Sequence, residues 1–263
     1  MENKNQSPGS ERRIEAMIDL LTAYYDEAGI LSTNFHCPYY EQCVIGSVNL
    51  IKGKAAFIGT DYESHSLPRI LFVSLDPGSD SSFELLENRT PEGVRAVESK
   101  QNWQSFNPLL HWHATHKFAV LIAQIFQPSI TYRDANRIFA HTNSAKCCAV
   151  KKGNDMSPAV LYKNCRSFLP QELKLLDPDI IIGQGGNAQK AIEFSCMDIS
   201  YQEPYRPIIA INDRIRVVSI NDHPVLYIKM IYPSWRNDRT RKQEKELYPY
   251  YLNAVKDFTK YFH

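Results

Sequence analysis

The sequence predicts an α/β protein: a three-layer αβα sandwich around a central, mostly parallel four-stranded sheet. Three observations carry this. Short apolar runs rich in branched residues recur at RILFVSL (69–75), RIFAHTN (137–143), DIIIGQG (179–185) and LYIKMIYPS (226–234). Their apolar residues are consecutive rather than alternating, as in strands buried on both faces. Segments with apolar residues at helical spacing lie between them, and strands alternating with helices build a parallel sheet covered on both sides.

In chain order, residues 1–12 are polar and are expected to form a disordered tail, leaving 13–263 as a single domain. From Ile14, IEAMIDLLTAYYDEAG repeats apolar residues at helical spacing and stops at Gly29. A loop carrying CPYYEQC (37–43) follows. The first strand runs into Asp76-Pro77-Gly78, a tight-turn sequence. Residues 79–112 are polar and irregular, with Trp103, Phe106 and Trp112 among them. THKFAVLIAQIF (115–126) reads as a buried helix, and RIFAHTN as the second strand. SPAVLYKNCRSFLPQELKLL (157–176) reads as a helix with a break near Pro170. DIIIGQG is the third strand and NAQKAIEF a helix after it. PIIAI (207–211) and RVVSI (216–220) are expected to pair around NDR. LYIKMIYPS is a further strand, and residues 240–262 form a terminal helix.

Composition bounds the function. The chain has 263 residues, 43% hydrophobic and 22% charged, with a formal net charge of +1. Any contact with nucleic acid must therefore come from a local patch. No apolar run reaches the roughly 18 residues of a membrane span, and MENKNQSPGSERR lacks a signal-peptide core, so a cytoplasmic protein without membrane contact is expected. In that compartment six cysteines read as core residues, redox groups or metal ligands rather than a disulfide framework.

In open α/β sheets ligands gather beyond the carboxyl ends of the strands. Asp76-Pro77-Gly78, Thr142-Asn143, Gly183-Gln184-Gly185 and Tyr232-Pro233-Ser234 all stand at such ends. Asp76 reads as a turn former or as a carboxylate held over a cleft. Asn143 reads as a cap or as a side chain offering one acceptor and two donors to the edge of a ring. Cys37 and Cys43 share one loop, while Cys147 and Cys165 flank a later one. Two such pairs suit a four-thiolate site for an iron–sulfur cluster or zinc, against the alternative of reduced, buried thiols. In an extended backbone Cys147 and Cys148 point opposite ways, so one ligates and the other packs. Cys196 is expected in the core.

In HWHATH, the His111, His113 and His116 side chains lack a metal-binding carboxylate at a recognisable spacing and fit a phosphate or base contact better. GQGGNA matches neither the P-loop nor the dinucleotide fingerprint and reads as tight strand-to-helix packing. Arg236, Arg239, Arg241, Lys242 and Lys245 read as a solvated helix start or as a phosphate-binding rim.

As an ordered set, these segments resemble the uracil-DNA glycosylase superfamily, most closely its iron–sulfur (family 4-like) branch. ILFVSLDPGSD is similar to the first motif, a strand ending in Gly-x-(acid, Asn or Ala)-Pro-Gly/Tyr. HTNSAKC is similar to Thr-Asn-x-x-Lys-Cys. CRSFLPQELKLLDPDIIIGQGGNA is similar to the block of Cys, helix and glycine-ended strand. IYPSWR is similar to the second motif, His-Pro-(Ser/Ala). The resemblance covers roughly residues 30–255. It implies that Asp76 activates water, that Asn143 reads the base edge, and that Cys37, Cys43, Cys147 and Cys165 hold a 4Fe-4S cluster. Base contacts are expected from Trp112, Phe106 and Tyr232, and DNA contacts from Pro77, Gly78, Ser79, Pro233, Ser234, Trp235 and Arg236. The implied protein is a monomer that flips a base out of DNA and hydrolyses its N-glycosidic bond without a Schiff base.

Three departures bear on the substrate. Tyr232 stands where many members have a histidine that stabilises the departing base. The acid is at Asp76, where the iron–sulfur branch often has alanine or glycine and a glutamate one residue earlier; this chain has Leu75 there. Residues 79–112 are longer than the usual link. Uracil is the default base. A polar, aromatic insert also suits a sugar-bearing base such as glucosylated hydroxymethylcytosine, which superfamily members in antiphage defence remove from viral DNA. A non-catalytic nucleic-acid-binding module of the same fold is the competing class.

Overall fold

The computed structural model describes residues 8–44, 49–78, 85–101, 111–149, 157–209, 213–232 and 238–260. The elements run α1 (Pro8–Glu27), α2 (Tyr40–Cys43), β1 (Leu50–Ile51), β2 (Phe57–Ile58), β3 (Ile70–Ser74), α3 (Pro91–Glu98), α4 (His111–Phe126), β4 (Phe139–Asn143), β5 (Cys148–Ala149) and α5 (Ala159–Cys165). They continue α6 (Leu169–Leu176), β6 (Ile180–Gln184), α7 (Gly186–Ser195), β7 (Met197–Asp198), α8 (Arg206–Ile209), β8 (Ile215–Ile220), β9 (His223–Met230), α9 (Asp238–Glu246) and α10 (Tyr248–Thr259).

The four apolar runs form the middle of the main sheet, in the order β4-β3-β6-β9, all mutually parallel. The sheet is wider than the four strands expected. β2 adds an antiparallel edge beside β4, and β8 and β7 extend the other side antiparallel, making seven. β2 and β7 are two residues each, too short to leave a periodic pattern in the sequence.

The expected pairing of PIIAI with RVVSI is not found among the described residues, which leave out Ala210 and Ile211. Arg206–Ile209 is helical, and β8 pairs with β9. The turn between them is Asn221-Asp222, with φ of 49° and 62° and Ile220 opposite His223. Two residues at positive φ match the twist of a two-residue hairpin, and Asn and Asp tolerate that conformation.

Alternation along β4 separates the two helical layers. Phe139 and His141 point to α4: His116 meets Phe139 edge-on at 5.0 Å, and Trp112 lies 4.5 Å from His141. Thr142 points the other way and donates to Glu172 of α6, which also accepts from Tyr25 of α1. α1, α6 and α7 pack as one group, and α4, α8 and α10 as another. Helices on both faces of a parallel-centred sheet are consistent with an αβα arrangement.

The break near Pro170 is a short 3-10 turn at Arg166–Phe168, after which Pro170 sits in the first turn of α6, where its missing N–H costs nothing. α1 starts at Pro8, inside the segment expected as a tail. Ser10 is buried, and Arg13 Nη2 lies 2.6 Å from His65 Nε2, which docks that turn. The stretch 79–112 contains α3, whose N-cap Thr90 accepts from Gly93 N–H, as well as the first turn of α4. The terminal helix divides at Leu247, just before Pro249.

Candidate active site

Asp76 leaves the sheet two residues past β3 and is half-buried. The Ser157 hydroxyl donates to its Oδ2 at 2.6 Å, and the Tyr162 hydroxyl donates to its Oδ1 at 3.1 Å. One donor on each oxygen fixes the plane of the carboxylate. Burial, and then Asp76 itself, push the Tyr162 phenol well above its ordinary pKa, so it stays a donor. Tyr232 is pushed up to about 12 by burial and by the same carboxylate, which places its phenol near Asp76. Neither Ser157 nor Tyr162 is apparent as a site residue from the sequence. The available signal is that Tyr162 and Cys165 stand three apart on one helix, and so share a face.

Asn143 pairs in register with Ser74, so it ends β4 beside the point where β3 gives way to Leu75 and Asp76. It follows His141 by two residues and therefore faces the α4 side. It is only 3% exposed, yet its carboxamide makes no hydrogen bond among the described residues. Its nitrogen and oxygen are not among the fully buried side-chain atoms left without a partner, so the amide edge keeps some accessible surface at the strand end.

The aromatic wall comes from the start of α4. His111 stacks on Tyr232 at 5.3 Å and on Trp112 at 5.5 Å. Gly185 lets this wall close on the end of β6. Its φ is +94°, and a Cβ there would lie 3.0 Å from Tyr232 Cβ and 3.2 Å from the Leu75 side chain.

Beneath the wall runs a buried chain of hydrogen bonds. The Ser74 hydroxyl donates to Gln184 Oε1 at 2.7 Å, so its lone pair accepts from His141 Nε2–H at 2.9 Å, an assignment made from the network. Gln184 Nε2 donates to Thr115 Oγ1 at 2.8 Å, and that hydroxyl donates to the His111 carbonyl at 3.0 Å. β4, β3, β6 and α4 are thus locked together at the strand ends. Burial, then Lys54, lowers both imidazoles: His111 to about 4, with Asp76 opposing, and His141 well below its ordinary value. Both rings are neutral at pH 7.

The four cysteines of the two pairs meet at one cavity, which Lys146, Asn164, Leu161 and Phe168 also line. All four are free thiols, and the cavity between the lining side chains is about 10 Å³. Each sulfur receives an N–H: Cys37 from Tyr39, Cys43 from Asn164 at 3.4 Å, Cys147 from Gly53, and Cys165 from Lys146 at 3.4 Å. Burial raises the thiols of Cys37, Cys147 and Cys165, the last to about 11, and repulsion within the group raises them further. Among the described residues no three His, Cys, Asp or Glu side chains converge on a single metal ion. Four thiols, each receiving an N–H, are the donor type that thiolate-bound centres use.

Cys148 faces away from this cavity. Its Sγ donates to the Gly78 carbonyl at 2.8 Å, on the turn that follows Asp76. Cys196 is half-buried at the end of α7 rather than fully in the core, and burial raises its thiol to about 12.

Between pocket and cysteines lies a buried ion pair, Lys146 Nζ to Glu172 Oε2 at 2.5 Å, with the lysine also donating to Thr142 at 2.8 Å. Tyr25 completes it by donating to the other oxygen of Glu172 at 2.5 Å and accepting from Ala56 N–H. Lys54, paired with Glu98 at 3.2 Å, is the second buried lysine.

Of the other expected contacts, Pro77 and Gly78 border Asp76, and Trp112 and Tyr232 are in the wall. Ser79, Trp103, Phe106, Pro233, Ser234, Trp235 and Arg236 lie outside the described residues. Arg239, Lys242 and Lys245 are exposed on α9 at three-residue spacing, hence on one face. Lys245 lies close enough to His113 on α4 to lower its pKa, after burial and Lys117. The chain matches no model of a known protein family, and no curated protein matches it. No helix among the described residues is long and apolar enough to cross a membrane.

Proposed function

We propose that the chain is a monofunctional DNA glycosylase with the three-layer architecture of the uracil-DNA glycosylases. One observation carries the reading: at the ends of two adjacent parallel strands, a carboxylate oriented by two hydroxyl donors, Asp76, follows the strand whose last residue pairs with Asn143, and the Asn143 carboxamide makes no hydrogen bond among the described residues. A carboxylate serves a reaction that develops positive charge on a sugar. A free amide edge serves the recognition of a base.

A base inside a duplex cannot reach such a pocket, so the target nucleotide is flipped out or already unpaired. The bond between C1′ and the base nitrogen breaks, and its electron pair leaves with the base. Asp76 stabilises the sugar cation and orients a water. The water oxygen bonds to C1′, and its proton passes by way of Asp76 to the departed base. Lys54 and Lys146 are buried in ion pairs with Glu98 and Glu172, which fits hydrolysis rather than a Schiff-base step. Trp112 and Tyr232 supply apolar surface to the flipped base, and the α9 cations, with the neighbouring Arg236, supply phosphate contacts. Cys37, Cys43, Cys147 and Cys165 would hold a 4Fe-4S cluster, whose role when bound is to tie the Asn143 loop to α5.

The test is incubation with oligonucleotides carrying uracil, hypoxanthine or modified cytosines, followed by alkali. Strand cleavage with one of these bases, lost in Asp76→Asn, is the expected result. Binding without turnover on every base would assign the protein to the non-catalytic class instead.

A further inference from the structure

The glycosylase reading leaves one need unmet. The departing base carries negative charge, and the motif position that usually answers it holds Tyr232. We propose that His111 answers it instead, its ring N–H donating a hydrogen bond to the oxygen of the departing base. This rests on the glycosylase reading and deepens it.

Three observations place His111 for this. Its ring is stacked on Tyr232 at 5.3 Å, on the same wall that borders Asp76. Its side-chain nitrogens make no hydrogen bond among the described residues, so an N–H is available to a ligand. Its backbone is not free to drift: the carbonyl accepts from Thr115, which belongs to the chain running through Gln184 and Ser74 to His141, two residues before Asn143. One hydrogen-bonded unit therefore positions both the base reader and the proposed donor.

The charge state supports the same role. With a pKa near 4, lowered by burial, Lys54 and His116 against the pull of Asp76, the imidazole is neutral at pH 7. A neutral ring does not form an ion pair with Asp76, and so leaves that carboxylate to the sugar. It still donates one N–H, and a donor fixed in advance where charge develops is worth about 10²- to 10³-fold in rate.

His111→Phe keeps an aromatic ring on Tyr232 and removes both nitrogens. On a uracil oligonucleotide its kcat should fall about 100-fold, with KM nearly unchanged. On 5-fluorouracil, whose anion needs less stabilisation, the loss should be several-fold smaller. His111→Gln, which restores an N–H, should recover part of the uracil rate. If His111→Phe melts earlier than the wild type, His111→Ala carries the same comparison of bases. Unimpaired variants, or equal losses on the two bases, overturn the assignment while leaving the glycosylase reading standing. If the wild type releases only hypoxanthine or a modified cytosine, the same variants are compared on that base, where an unimpaired His111→Phe overturns the assignment; wild-type protein that releases no base of the panel overturns the glycosylase reading and His111 with it.

Discussion

The Tyr162 hydroxyl donates to Asp76 Oδ1 across 86 positions of sequence, and one turn further along the same helix Cys165 lines the cysteine cavity. The carboxylate and the thiols are thus braced by a single seven-residue helix, α5. A hydrogen bond to a charged group is worth about 1.5–3 kcal/mol, or roughly 10- to 100-fold in rate when it orients a reacting group. Tyr162→Phe is therefore expected to lower kcat by at least about 10-fold with little change in KM. Single-turnover kinetics on the cleaved base would show this, and an unchanged rate would remove Tyr162 from the site.

Cys147 and Cys148 separate the two faces of the next segment. Cys147 lines the cavity, while Cys148 bonds the Gly78 carbonyl. Protein purified without oxygen is expected to be brown, with about four irons per chain. Cys147→Ser and Cys165→Ser should lose the iron. Cys148→Ser should keep it, since its hydroxyl still reaches Gly78. Iron and acid-labile sulfide assays decide; a Cys148→Ser variant that loses the cluster while Cys147→Ser keeps it would reverse the assignment.

The Lys146–Glu172 pair is sealed from solvent, so breaking it leaves one buried charge uncompensated. Lys146→Met is expected to destabilise the fold by about 3–5 kcal/mol. Replacing both, as Lys146→Met with Glu172→Leu, should recover part of the loss, although Tyr25 and Thr142 then lose an acceptor. Denaturant midpoints for the two variants measure the coupling. A single variant as stable as the wild type would mean that the buried pair contributes nothing to the fold.

Much of this arrangement was legible in the sequence because its signals are local. The four apolar runs marked the parallel strands, and Asp76, Asn143 and Tyr232 were found at their ends because strand ends carry an abrupt change to turn residues. The four cysteines announced themselves by residue type. What could not be read was contact between distant segments. Ser157 and Tyr162 look like ordinary loop and helix residues until the fold brings them to Asp76. The β8–β9 hairpin was hidden because Asn221-Asp222 is followed by His-Pro, which weakens the strand pattern after it. α3 was lost in a polar stretch where only the Thr90-Pro91 cap marked a start.

Acid stability gives a further test of the buried imidazoles. His116 and His141 are each only 3% exposed, and burial lowers both, His116 to about 4 and His141 well below its ordinary value. In the unfolded chain each titrates near 6.5. Their folded values are depressed, so below pH 6.5 the unfolded chain takes up protons that the folded one does not. Stability is then complete above that pH and falls as the solution becomes more acidic, until the folded values are reached. Between pH 6 and pH 5 the two histidines together should cost about 2 kcal/mol, before most carboxylates titrate. His111, partly exposed, acts in the same direction. Urea midpoints at pH 7.5, 6 and 5 would record the fall, and His116→Asn should make it shallower. A midpoint that does not change between pH 7.5 and 5 would mean that these rings are protonated within the fold at little cost, and that Ser74 does not accept from a neutral His141.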